Sequence, residues 1–337
     1  MSYETKTFIR NYPSQHIGEP LHFVAKRYVP ANSSPTGLTL LFFHCTGSHK
    51  EVWEPVIQGL FSGHPTGIAI REAWTWDWQT HGEAGRLNAA VIARTKEHIV
   101  ASELVYGIKR FAATEGVFKG HILAGEEPSR RIFVADTDHS MLTTVDDAQP
   151  GLRYKAIIIM EPSTLTRESS TQGDIHVEMR VLRGIIEKRR NTWKSREEAR
   201  QYFQARLPWK KWDPRSFELF LIFDKRARTT ASWNKLATRW IDDNLQGAAY
   251  YGHGEIHYAA AERLGTLDPN IPVHVVFVTP AETMPETQRN SVLQLRKFAS
   301  ITLLPNVGHL LVQEKPDMVA SLIYDKLRSI SASQAKL

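Results

Sequence analysis

Residues 132–143 read I-F-V-A-D-T-D-H-S-M-L-T. An apolar run of strand-forming residues, Ile132 to Ala135, stops at a short polar turn, and Ser140 stands where strand would give way to helix. Comparable runs occur on both sides, at residues 38–43, 68–70, 156–160 and 273–278. Continuous short apolar runs are the mark of strands buried on both faces of a largely parallel sheet. Between them the spacing becomes helical, as in Val100, Leu104, Ile108 and Phe111, and later in Val319, Ile323 and Leu327. Strands alternating with helices predict an α/β architecture, with a mostly parallel central sheet flanked by helices.

Working outward, residues 21–28 alternate apolar and polar and read as an early half-exposed strand. The turn P-A-N-S-S-P-T-G follows at 30–37. The run at 38–43 ends in the polar loop H-C-T-G-S-H, and residues 53–60 suit the next helix. The run at 68–70 leads into W-T-W-D-W-Q-T-H-G-E at 74–83. Between 163 and 268 the character changes: apolar runs are scarce, and five of the nine tryptophans fall there (Trp193, Trp209, Trp212, Trp233 and Trp240). This stretch is expected to be an inserted, mainly helical lid. The α/β rhythm then resumes, with a helix near 286–298 and a strand at 301–304. The expected organisation is therefore a first core part at 1–162, the insertion at 163–268, a second core part at 269–330 and a tail at 331–337.

Composition sets the class. A hydrophobic content of 42% and a charged content of 23% are those of an ordinary globular protein. The formal charge of +6 comes from dispersed Lys and Arg, so nucleic acid is not an expected partner. Trp209-Lys210-Lys211-Trp212 reads as a solvated helix face. The one cysteine, Cys45, permits no internal disulfide and fits a reducing compartment. No apolar run approaches the length of a membrane span, so none is expected. The ending Ala335-Lys336-Leu337 is similar to the S-K-L tripeptide read by peroxisomal import receptors. The expected location is thus the peroxisome, with the cytoplasm as the alternative. No phosphate-binding glycine motif points to a nucleotide cofactor. His253-Gly254-Glu255-Ile256-His257 lacks the spacing that sets two histidines on one helical face, so neither a cofactor nor a metal is expected.

A serine hydroxyl attacks at neutral pH only when a base takes its proton, and that base must itself be oriented. The candidate base is His309, in N-V-G-H-L-L-V-Q-E-K-P at 306–316. For the acid, the chain order Ser, Asp or Glu, His favours Glu282, in T-P-A-E-T-M-P after the run at 273–278. Glu161, which ends the run at 156–160, is the alternative.

Taken together, F-H-C-T-G-S-H-K-E-V-W-E-P at 43–55, D-W-Q-T-H-G-E at 77–83, D-H-S-M at 138–141, I-I-I-M-E-P at 157–162 and G-H-L-L-V-Q-E-K-P at 308–316 occur in the order of the α/β-hydrolases. The sequence resembles that superfamily over most of its length. It most resembles fungal peroxisomal members, including those of AK-toxin-type host-selective toxin biosynthesis. The resemblance implies the α/β-hydrolase fold and a serine hydrolase acting on an ester or thioester of a small acyl or polyketide-type compound. It makes Ser140 the nucleophile, His309 the base, and the Thr46 and Met141 N–H groups the oxyanion donors. Ser140 also sets the chain apart from epoxide hydrolases and haloalkane dehalogenases of this fold, which attack with a carboxylate. Asp138 and Leu142 stand where the nucleophile turn usually carries glycine, and Cys45 where His-Gly is usual. These departures motivate a second expectation, a non-catalytic or degraded binding protein. A third keeps the pocket but performs acyl transfer or cyclisation.

Overall fold

The computed structural model describes residues 3–15, 17–45, 47–62, 68–94, 101–113, 131–136, 154–162, 166–171, 190, 193, 195–224, 258–280 and 285–334. Its strands are β1 (Tyr3–Pro13), β2 (Pro20–Pro30), β3 (Leu38–Phe43), β4 (Ile70–Asp77), β5 (Arg131–Asp136), β6 (Ala156–Met160), β7 (Val273–Thr279) and β8 (Ser300–Pro305). They form one sheet in the order β1-β2-β4-β3-β5-β6-β7-β8. β2 runs antiparallel to both β1 and β4, and every later neighbour pair is parallel. The mostly parallel sheet expected from the apolar runs is therefore present.

Side chains alternate between the two faces of a strand, and here both faces are buried. On one side Leu41, Phe43, Phe133, Ala135, Ile157, Ile159, Val275 and Phe277 share a layer with Val105, Ile108 and Phe111 of the helix Ala101–Ala113. On the other, Leu40, Phe42, Ile132, Val134, Ile158, Val276 and Val278 pack with the helices Glu54–Phe61 and Pro316–Gln334. Phe43 lies between Trp76 and Phe133, with ring centroids at 5.2 and 4.7 Å. Ala260 and Leu264, in a helix at 258–266, belong to the same layer as Phe133.

The described part of the 163–268 stretch builds its own small core, in which Ala199, Phe203, Trp209, Phe217 and Leu221 pack with Trp193 and Trp212. Trp233, Trp240 and residues 335–337 lie outside the described residues. The small core is tied to the main body near His309. The Asp213 N–H donates to Gln313 O at 2.9 Å, and Arg215 bridges Asp213 and Asp317. Among the described residues no helix is long and apolar enough to cross a membrane.

Two strand readings needed the tertiary context. β1 is a polar edge strand, and β4 continues through the tryptophan run to Asp77. The buried Glu72 of β4 is matched by Arg27, with Nε to Oε2 at 2.6 Å. Beyond β4, Lys50 is fully buried among carboxylates: its Nζ lies 2.8 Å from Asp77, 3.0 Å from Glu51 and 3.3 Å from Glu83. Asp77 also accepts the backbone N–H groups of Lys50 and Glu83, each at 2.8 Å. A group receiving only donors is a carboxylate. Burial alone would depress the Lys50 ammonium, but Asp77 and Glu51 outweigh it and hold the pKa above its usual range. Lys50→Met leaves these acids uncompensated, so it is expected to lower unfolding stability by about 3–5 kcal/mol. A shift in the urea midpoint at unchanged slope checks this.

Candidate functional site

In open α/β sheets the ligand crevice lies outside the carboxyl ends of the parallel strands. β5, at the centre, ends at Asp136 shortly before Ser140, which lies outside the described residues. The first residue after neighbouring β6 is Glu161, fully buried and at φ +46°, a conformation uncommon for a residue with a side chain. Such backbone persists where its surroundings over-determine it. The Glu161 N–H donates to Val276 O at 2.8 Å. Its Oε1 accepts the Val278 N–H at 2.6 Å, and its Oε2 lies 3.0 Å from His309 Nδ1.

His309 occupies the loop between β8 and the short helix Leu311–Glu314, and its side chain is 20% exposed. A carboxylate oxygen accepts, so the contact with Glu161 calls for the ring proton on Nδ1 and leaves Nε2 as the acceptor. That is the tautomer a general base requires. The loop is clamped from beneath, since the Gly308 N–H donates to Glu314 Oε2 at 3.0 Å. A Cβ at Gly308 would collide with the Glu314 carboxylate, so a side chain there would displace that carboxylate from its place on the Gly308 N–H.

The loop after β3 forms another wall. His44 Nδ1 donates to Cys45 O at 2.8 Å, and its Nε2 takes the Trp78 N–H at 3.4 Å. Gln313 Nε2 reaches Cys45 Sγ at 3.5 Å. Gly47, at φ +79°, donates its N–H to His81 Nε2 at 3.0 Å. Burial first, and then His44 and His49, holds the His81 pKa well below the usual imidazole value. Burial likewise brings His44 down to about 3.

Of the residues expected from sequence, the structure brings His309 and Glu161 into contact. Ser140, Met141, Thr46 and the favoured acid Glu282 lie outside the described residues, as does the 253–257 segment. Sequence reasoning gave no role to His81 or Glu314. His81 stood in D-W-Q-T-H-G-E, and Glu314 in G-H-L-L-V-Q-E-K-P, so both strings carried a signal. Among the described residues no group of three metal-ligating side chains occurs.

No family model matches the sequence, and no curated protein matches it. Solved structures resemble it in fold. The peroxisomal α/β-hydrolase Lpx1 of Saccharomyces cerevisiae is 16% identical, with a TM-score of 0.74 over 98% of this chain and 90% of that one. E-2-(acetamidomethylene)succinate hydrolase is 13% identical, with a TM-score of 0.60 over 95% of this chain and 98% of that one. The thioesterase domain from the curacin biosynthetic pathway is 15% identical, with a TM-score of 0.59 over 95% of this chain and 99% of that one. The chain has the α/β-hydrolase fold.

The buried histidines set an acid limit. Unfolded, His44 takes a proton as pH falls below its ordinary value of 6.5, whereas the folded ring resists protonation until about 3. His274, buried on β7, behaves similarly, its pKa lowered to about 4 by burial and by Lys326. The unfolded chain then binds more protons between these limits, so stability is greatest above pH 6.5 and declines as pH falls. Each histidine contributes a slope of at most about 1.4 kcal/mol per pH unit. Urea unfolding at pH 7.5, 6 and 5 is expected to show this decline, and His44→Gln to flatten it.

Proposed function

We propose that the protein is a serine hydrolase that cleaves an ester or thioester of a small acyl compound. The observation that carries this reading is the buried carboxylate of Glu161 on His309 Nδ1, at the end of the sheet where the nucleophile turn follows β5. In this reading Ser140 attacks the carbonyl carbon while His309 Nε2 takes its proton. Glu161 holds the ring and stabilises the imidazolium, and the N–H groups of Thr46 and Met141 receive the developing oxyanion. The tetrahedral intermediate collapses and expels the alcohol or thiol, which takes the proton back from His309; water then attacks the acyl-enzyme left on Ser140, with His309 again as base, and releases the acid. Glu161 takes the place that chain order favoured for Glu282, because it is the carboxylate on the histidine. The thioesterase and hydrolase neighbours support this chemistry by likeness of fold. A peroxisomal address at Ala335-Lys336-Leu337 and a substrate drawn from acyl or polyketide metabolism belong to the same proposal, and the compartment of the yeast neighbour supports the first.

Two variants test the reading. Ser140→Ala is expected to abolish labelling by a fluorophosphonate probe and to lower turnover of a p-nitrophenyl ester at least about 10⁴-fold. Glu161→Gln is expected to keep the fold, since its amide oxygen can still accept the Val278 N–H. Its NH₂ then faces His309 Nδ1 and enforces the wrong tautomer, with an expected loss of about 10³–10⁴-fold in kcat. Full labelling of Ser140→Ala would refute the nucleophile. Undiminished turnover in Glu161→Gln would return the role of acid to Glu282.

A further inference from the structure

The loop after β3 supplies one oxyanion donor in the proposed reaction, and a buried side chain from another part of the chain holds it. His81 follows β4 and is fully buried. Both of its ring nitrogens are engaged: Nε2 with the Gly47 N–H at 3.0 Å and Nδ1 with Thr80 Oγ1 at 2.9 Å. A backbone N–H can only donate, so Nε2 is the unprotonated nitrogen and Nδ1 donates to the threonine hydroxyl. The Gly47 N–H thus selects the tautomer, and the Thr80 hydroxyl accepts the ring's remaining proton. Gly47 sits in the left-handed region at φ +79°, a conformation that glycine adopts readily. His44 on Cys45 O and Gln313 on Cys45 Sγ grip the preceding residue. The loop is therefore held at Cys45 and Gly47 by its own His44 and by His81 and Gln313 from two other segments.

We infer that His81 is a positioning residue for oxyanion stabilisation: by accepting the Gly47 N–H it holds the loop after β3, which supplies an oxyanion donor in the hydrolase reading. The inference rests on the hydrolase reading above. An oxyanion donor acts only when it lies about 2.7–3.1 Å from the site of developing charge, and loss of one such donor costs about 10²–10³-fold in turnover. Because the interaction matures in the transition state, kcat falls while KM changes little. A ring that merely fills space beside Trp78 and His44, at centroid distances of 5.6 Å to each, would affect stability without that split.

The test compares wild type with His81→Leu, His81→Gln, Thr80→Val and Ser140→Ala. The readouts are kcat and KM on a p-nitrophenyl ester, the affinity of a trifluoromethyl ketone that mimics the tetrahedral state, and the melting temperature. His81→Leu, which cannot accept, is expected to lower kcat about 10²-fold, with KM within about threefold and ketone affinity falling in parallel. His81→Gln can place an amide oxygen near the position of Nε2 and is expected to recover about tenfold or more of that loss. If His81→Leu does not fold, Thr80→Val reads the same idea: with Nδ1–H left without its acceptor the ring is held less firmly, and kcat drops several-fold with KM within about threefold. A folded His81→Leu with near-wild-type kcat overturns the inference, as does a His81→Gln no better than His81→Leu, or an unaffected Thr80→Val. Ser140→Ala separates the two levels. If it is as active as wild type, or if wild type neither turns over the ester nor takes a fluorophosphonate label, the hydrolase reading itself falls and this inference with it.

Discussion

The buried ammonium of Lys50 ties the turn after β3 to the end of β4 and to the helix that follows it. Its partners come from the end of β4 (Asp77), from its own turn (Glu51) and from the helix Gly82–Arg94 (Glu83). Asp77 is bound by the backbone N–H groups that open the turn at Lys50 and the helix at Glu83. One carboxylate thereby satisfies donors at two helix starts and matches the charge beside them. The loop after β3 and the loop after β4 are consequently held together, and they carry Gly47 and His81. A purely apolar contact could bury the same volume, but it would leave those backbone donors without acceptors and the relation of the two loops loosely defined.

Much of the sheet was legible because its strands are buried on both faces. β3, β5, β6 and β7 are nearly continuous apolar runs, and their sequence bounds differ little from the structural ones. β1 escaped because an edge strand needs no apolar run. Its residues Glu4, Lys6 and Arg10 interrupt the pattern, and only the pairing with β2 defines it. β4 was read short because Glu72, Thr75 and Asp77 suggest exposure, yet all three are buried. Their polarity is absorbed by Arg27, Tyr28 and Lys50, which come from elsewhere in the chain.

The candidate site divides in the same way. The candidate base His309 was singled out because its local string, G-H-L-L-V-Q-E-K-P, is distinctive. The choice between Glu161 and Glu282 was not, because it depends on a contact between residues 148 positions apart. Chain order favoured the carboxylate after β7. Glu282 lies outside the described residues, and the structure shows how the carboxylate after β6 reaches the histidine: a positive φ turns the chain at the strand end, and the side chain then lies towards β7 and the His309 loop.

That turn makes Glu161 part of the sheet as well as of the candidate site. With its N–H on Val276 and its Oε1 on the Val278 N–H, it extends the β6–β7 register by one residue. The other oxygen then has little freedom, so its direction towards His309 follows from strand pairing rather than from side-chain rotamer preference alone. Placing an orienting acid on a rigid element is more exact than carrying it on a loop. The unfavourable backbone angle is offset by three hydrogen bonds, two made when β6 and β7 pair and the third when the His309 loop joins them. The geometry of the base is in this sense a product of the sheet, and changes that loosen the β6–β7 edge should disturb His309 before they unfold the chain.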